Sequence, residues 1–391
     1  MNGCAARARA VEDVSDVKDP AQIVPIHISK EESEPPLLPR RVGRVAEGSE
    51  REGSRRGWRR LRTTSRWRTM SELTQTTQQT RTGREWCPAL VLFLFAMAVF
   101  FAREWGRATE AATLGAAALF AVLTGLTLAL SVTAVRERLR TRSEAVNVLA
   151  APLAITAAIA LCCAVMGLPI APRAAAFGAY LIVPAVLVCL GRGRMPDTVR
   201  VLAAAIVLWL PIEFNLLPQL RLPPPDGLRA APFAALAASL YLFLVACPLD
   251  RIGYTFQLSR RDFRLALIAT AAFAIVGLPI GLATGFLEWN PRPDVIRLAV
   301  APIAIYLATG VPEEFLFRGL IQNTLERAIG RAALPIASII FGLAHLPDPR
   351  YVLLATFAGV AYGYVYQATR RITASAVTHA LVDWIWVLLL R

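Results

Sequence analysis

Glu313 and Glu314 are adjacent in the run GVPEEFLFRG (residues 310–319), and Arg318 follows four residues after the second of them. Apolar residues flank all three. A charged side chain placed in hydrocarbon costs roughly 2.5–3.5 kcal/mol, so these carboxylates need a protein interior or a wet cavity. Two later runs carry related groups. FGLAHL sets Phe341 and His345 four apart, and THALVDW sets His379 and Asp383 four apart with Trp384 beside them. Residues four apart share one face of a helix, so each run presents a polar cluster to one side. Carboxylates and imidazoles in this setting can move protons to and from water during hydrolysis. They can also hold a metal or relay protons across a membrane.

A bland account covers part of this set. Glu314 and Arg318, four apart with Glu first, could satisfy one another as an internal ion pair. That leaves Glu313 and both histidines of the cluster without a reason. The chain has three histidines, and the third, His27, lies in a polar N-terminal region. Two histidines, each with a same-face partner and an unpaired Glu to join them, favour a site over packing.

The elements that must position these groups are helices crossing a membrane. The 391 residues are 55% hydrophobic with a formal net charge of +14. That much apolar surface excludes an ordinary soluble domain. The charge is dispersed over short loops with no reading module beside it, which argues against a nucleic-acid partner. Cys162 and Cys163 are adjacent, and Cys87, Cys189 and Cys247 lie singly in or beside apolar runs. None has metal-ligand or disulfide-framework spacing, so they read as small apolar packing residues.

Residues 1–86 form a basic cytoplasmic arm including REGSRRGWRRLRTTSRWR, and the lack of apolar periodicity predicts disorder. Met70 opens a natural lead into the first span, so residues 1–69 are a candidate over-extended start; the alternative is an arm that touches anionic lipid. Lys18 and Lys30 are the only lysines, and the preference for Arg suggests a GC-rich genome. The expected location is a bacterial cell membrane. Apolar runs near 88–103, 112–135, 146–170, 174–191, 199–217, 231–249, 264–287, 295–326, 332–346, 351–369 and 372–390 predict an all-α polytopic bundle of about eleven spans. Alternate loops such as RERLRTRSE and RGRMPDTVR are Arg-dense, which places the N-terminus in the cytoplasm. Counting ~1.5 Å per residue from Arg327, Arg331 and Arg371 puts Glu313 and His345 each about 21 Å deep. The same rise puts His379 and Asp383 at roughly 12 and 18 Å.

EEFLFRG, FGLAHL and HALVDW together resemble the motifs of the CAAX prenyl protease and bacteriocin-processing (Abi) family of intramembrane proteases. FAGVAYGYVYQATRRITASAVTHA resembles that family's penultimate helix and turn, with Phe357, Gly359 and Gly363 matching; Gly359 and Gly363 form a GxxxG that permits close helix approach. The resemblance covers about residues 264–391, leaving 87–263 as N-terminal spans that these motifs do not identify. It implies cleavage of a peptide or protein substrate in or beside the bilayer, without a covalent intermediate. By position, Glu313 is the implied general base and His345 its partner at the water. His379 and Asp383 are implied at the oxyanion, while Glu314, Arg318 and Phe341 support them. Many relatives carry Asn where this chain has Asp383. An ionised Asp cannot donate to an oxyanion, so Asp383 is either protonated or holds His379 in its charged form.

No cofactor is implied. The nearest rival is a zinc protease with Glu313, His345 and His379 as ligands, although the usual His-Glu-x-x-His spacing is absent. A transporter or immunity-type membrane protein is the rival from another class; no repeated pair of broken helices supports it.

Overall fold

A computed structural model describes residues 64–222 and 230–390, with side chains from Gly83 onward. The described residues are helical, and their one β pairing is an isolated bridge between Trp289 and Leu390. In chain order the helices are α1 (Thr64–Glu104), α2 (Glu110–Ala129), α3 (Thr133–Arg140), α4 (Glu144–Val165), α5 (Ile170–Leu190) and α6 (Asp197–Glu213). Next come α7 (Ala230–Tyr241, prolonged by a π-turn Leu242–Ala246) and α8 (Arg260–Ala283). A long composite helix α9 (296–329) is followed by α10 (Ala333–Leu343), α11 (Pro349–Thr369) and α12 (Ile372–Leu389).

Each of the eleven apolar runs falls on a helix, and α3 occupies the Arg-rich loop after the second. Seven stretches are long and apolar enough to cross a membrane, one of them the α9–α10 stretch Ile296–Leu343. The described part of the chain is thus a multi-pass helical membrane protein. The stretches on α6, α7 and α11 fall outside that set of seven. Large apolar side chains point outward along the bundle, Ile275 at 74% exposure and Leu161 at 67% among them. In water such a surface would aggregate; in hydrocarbon it is the solvated face.

One boundary departs from expectation. Helix α1 begins at Thr64, so residues 64–86, assigned from sequence to a disordered arm, are helical. Residues 64–82 contain neither Gly nor Pro. Once past Pro88 and Gly83, both inside α1, the helix therefore runs back at little further cost per residue. The rest of the arm, and most of the suspected extra start, lie outside the described residues.

Local rules set the remaining boundaries. Ser259 and Asp262 form a reciprocal capping box at the start of α8. Asp262 also receives Arg371 Nη1 at 2.9 Å, which fastens the start of α12 to the start of α8. Gly253, with φ of +67°, sits against the backbone of Arg370, where any Cβ would collide. Glu326 on α9 gathers Gln322, Gln367 and Arg370, clamping one end of α9 to α11. Gly330, with φ of +59°, turns the chain so that α10 packs back along α9. There Phe341 meets Phe317 with ring centroids 4.9 Å apart. Gly359 of the GxxxG faces Ser338 and Phe341 of α10, and Gly363 faces Leu334 and Gln322. Helices α8 to α12 form one packed group, and α6 and α7 close it against α9.

Candidate active site

Helix α9 is irregular where the chemistry-bearing residues lie. Its turns widen to π geometry at Ile296–Val300, Tyr306–Gly310 and Phe315–Gln322. A proline ring clashes with the carbonyl four residues earlier. For Pro302 and Pro312 those residues are Leu298 and Ala308, each inside one of the first two widened segments. Proline thus accounts for two of the three π segments. Glu313 and Glu314 lie in the short α turn between the second and third.

Gly310 brings this turn against α12. A Cβ there would lie 2.9 Å from the Ala376 carbonyl oxygen, so only glycine allows the two backbones so close. The contact delivers Glu314 to His379. Its Oε1 accepts from His379 Nδ1 at 2.9 Å, and its Oε2 accepts from Arg318 Nε at 3.1 Å. Ser375 Oγ lies 2.5 Å from the same Oε2 and 2.8 Å from the Tyr362 carbonyl, so its single hydrogen serves one of them at a time. Glu314 and Arg318 are fully buried. The expected ion pair therefore exists, but Glu314 also anchors the histidine. Arg318 Nη1 and Nη2 have no hydrogen-bond partner, and its guanidinium lies 5.1 Å from the Phe341 ring centre and 5.9 Å from that of Tyr362.

With Nδ1 tied to Glu314, His379 turns Nε2 toward two further carboxylates. Glu313 Oε2 is 3.8 Å away and Asp383 Oδ2 is 3.5 Å away. Their side chains are 36% and 31% exposed, against 4% for His379, so the carboxylates reach open space and the imidazole does not. Tyr362 stacks on the His379 ring at 4.6 Å and 14°. The ring is thus fixed on its edge by Glu314 and on its face by Tyr362.

His345 lies in the turn just after α10 and lines a cavity with Glu313 and His379. Its Nδ1 lies 2.8 Å from the Phe341 carbonyl. A carbonyl only accepts, so Nδ1 carries the hydrogen and Nε2 of the neutral ring keeps its lone pair. Phe341 and Tyr351 pack on the ring at 4.9 and 4.4 Å. Phe341 thus positions His345 through its backbone and also meets His379, Tyr362 and Arg318 through its ring.

Two cavities share this centre. One of about 90 Å³, room for roughly three waters, is lined by Glu313, His345, His379, Asp383 and Tyr351. A larger one of about 310 Å³ opens between α6, α7 and α9, with Glu313 and His345 in its wall beside Trp209, Glu213 and Ser239. Glu313 and His345 therefore stand at the boundary between a small chamber and a roomier one, both with mostly apolar walls.

The structure joins Glu313, Glu314, Arg318, His379 and Asp383 directly, and places His345 across a shared cavity. Sequence reasoning did not pick out Ser375, Tyr362, Tyr351 or the Trp209–Glu213 pair. Ser375 carried a usable signal, since it precedes His379 by four residues and so shares its face. The tyrosines and α6 carried none.

These features define a helical membrane protein with a buried glutamate–histidine centre opening on cavities. Residues 295–385 match the family model for Rce1-like type II CAAX prenyl endopeptidases. The match takes in α9 to α11 and most of α12, with every residue of the centre. It is narrower than the 264–391 suggested by motifs and leaves α8 outside. No curated protein and no solved structure matches the chain.

Proposed function

We propose that the protein is an intramembrane endopeptidase in which Glu313 and His345 activate a water molecule and His379 stabilises the oxyanion. The observation that carries this is the setting of His379. Nδ1 is held by buried Glu314, and Nε2 is aimed past Glu313 and Asp383 at a cavity that His345 also lines. A water in that chamber lies within reach of the Glu313 carboxylate and of the His345 Nε2 lone pair. It adds to the scissile carbonyl carbon as Glu313 takes its proton. The carbonyl oxygen becomes an oxyanion and accepts from Nε2–H of His379. When the C–N bond breaks, Glu313 returns the proton to the leaving amine. A general base contributes typically 10²–10⁴-fold, and one oxyanion donor about 2.7–4 kcal/mol.

Asp383 supports His379 as an acceptor for Nε2–H, keeping the ring doubly protonated until substrate displaces that contact. Glu314, Ser375 and Tyr362 hold the ring in place, and Arg318 balances the Glu314 charge. The substrate is a peptide segment at the membrane, entering by the wider cavity. The helices that carry the eleven apolar runs cross or line the bilayer, with the N-terminus on the cytoplasmic side, in keeping with the Arg-dense loops.

The zinc reading fares less well on geometry. Both histidines have Nδ1 tied to an oxygen, as metal ligands usually do. Glu313 Oε2 and His379 Nε2 lie 3.8 Å apart, however, without His345 completing a three-ligand group within 4.8 Å. Among the described residues the group with three such atoms within 4.8 Å of one another is Glu144, Cys189 and Cys247, elsewhere in the molecule. No step above depends on a metal.

The test is turnover of purified protein in nanodiscs on peptides with free and with prenylated C-terminal motifs, before and after exhaustive chelation. Cleavage that survives chelation and disappears in Glu313→Gln supports the assignment. Cleavage lost on chelation and restored by zinc makes Glu313, His345 and His379 ligands instead.

A further inference from the structure

Cys189, in the last turn of α5, and Cys247, just after the π-turn of α7, place their Sγ atoms 2.9 Å apart across 58 residues of chain. Two unbonded sulfurs do not rest so close in van der Waals contact, and a disulfide holds them at about 2.05 Å. The Cys247 end is well anchored. Arg140 holds the Leu244 carbonyl with Nε at 2.9 Å and Nη2 at 2.6 Å, and Cys247 N donates to Leu242 O at 2.7 Å. Cys189 is half-buried and Cys247 is buried. A carboxylate oxygen of Glu144, at the start of α4, lies within 4.8 Å of both sulfurs, and Glu144 pairs with Arg192 at 2.8 Å. The pair therefore sits at the polar end of three helices, with Cys189 the more accessible thiol and a half-exposed carboxylate beside it.

We propose that Cys189 and Cys247 form a reversible dithiol–disulfide site that a small-molecule disulfide oxidises. Cys189, the more accessible thiol, attacks the small disulfide as its thiolate, its proton passing to solvent at the half-exposed end of α5. A mixed disulfide forms and one small thiol leaves. Cys247 Sγ then attacks Cys189 Sγ, the mixed disulfide breaks, and the second small thiol departs. The two cysteines lose two hydrogens and the small disulfide gains them as two thiols, so no other reactant is needed. The new bond ties the C-terminal end of α7 to α5. Leu236 and Ser239 of α7 line the larger of the two cavities beside Glu313, so the bond fastens one wall of that cavity. Tetrahedral zinc, with bonds near 2.3 Å, would spread the two sulfurs to about 3.7 Å, and it would compete with Arg192 for Glu144.

The experiment uses the full chain in nanodiscs treated with glutathione disulfide, followed by alkylation of free thiols and peptide mapping. A peptide joining Cys189 to Cys247, two hydrogens lighter than its parts and split by dithiothreitol, is expected. The oxidised protein should melt above the reduced one. Cys247→Ser should leave Cys189 as a lasting mixed disulfide with glutathione. Separate alkylation of both cysteines after oxidation, in protein that still elutes as folded, would overturn the proposal. So would stoichiometric zinc whose removal by chelator is what frees the thiols. None of these readouts involves peptide cleavage, so the outcome stands apart from that of the proposed protease activity.

Discussion

Glu314→Gln isolates the role of the buried ion pair. Arg318 is fully enclosed, and Nε on Glu314 is its one hydrogen bond, with Nη1 and Nη2 unpaired. Removing the carboxylate charge leaves a guanidinium with only the Phe341 and Tyr362 rings for company. Cation–π contacts supply about 0.5–2 kcal/mol each. Breaking a buried pair from one side costs roughly 3–5 kcal/mol, so the rings recover part of the loss at most. Against a typical total of about 5–15 kcal/mol, the variant should melt well below the parent. Adding Arg318→Met removes the stranded charge, and replacing both partners of a buried pair is often neutral. The double variant should therefore regain most of the lost stability while staying inactive, because His379 still lacks its carboxylate anchor. Thermal melts in nanodiscs, read with peptide cleavage on the same samples, separate the two effects. A Glu314→Gln protein as stable as the parent, or a double variant that recovers activity along with stability, would refute this reasoning.

Other outcomes follow from the same geometry. Asp383→Asn removes one of the two carboxylates at His379 Nε2; if Asp383 acts by keeping the ring doubly protonated, the falling limb of the rate–pH profile moves to lower pH, whereas an unchanged limb would show that Asp383 acts as a donor itself. Gly310→Ala forces a Cβ to within 2.9 Å of the Ala376 carbonyl, so α9 and α12 must part; cleavage should fall at least tenfold, and a fully active variant would contradict the close approach. Ser375→Ala removes a hydrogen bond to Glu314 Oε2 while leaving Arg318 and His379 in place, and its cost should be only about 0.5–1.5 kcal/mol by melting. At the head of α11 the neighbouring Arg350 holds the Asp348 carboxyl down to about 2. Because that pKa is depressed, the cap's contribution is present above the ordinary carboxylate range and is lost only as pH falls through about 2. Protection of the Arg350 amide, which donates to Asp348 Oδ1, should therefore stay constant from pH 7 to 4 by hydrogen exchange; loss of protection by pH 4 would contradict it.

Much of the centre was legible because membrane burial makes polar residues conspicuous. Glu313, His345, His379 and Asp383 stood out against apolar neighbours, and i,i+4 spacing put each pair on one face. The Glu314–Arg318 pair was readable for the same reason. The bond from Glu314 to His379 was not, because it depends on how closely α9 meets α12, and that is set by Gly310 and by two π-turns. Prolines 302 and 312 were visible, but sequence alone does not say whether a proline kinks a helix, ends it or widens a turn. Apolar runs located the helices well. They could not reveal that α1 continues back to Thr64, since those residues are polar and held only by propagation. The closeness of Cys189 and Cys247 was equally hidden: they are 58 positions apart with α6 and α7 between them in sequence, and no spacing motif reports it.

The central claim is that Glu313 is the base of a peptide hydrolysis. Its most direct measurement is the single-turnover rate of one cleavable peptide with the parent protein and with Glu313→Gln, both in nanodiscs and both confirmed as folded. The amide keeps the volume and removes the base, so the account predicts a loss of at least about 10²-fold with an unchanged melting profile. A Glu313→Gln protein that cleaves at near-parental rate would contradict it.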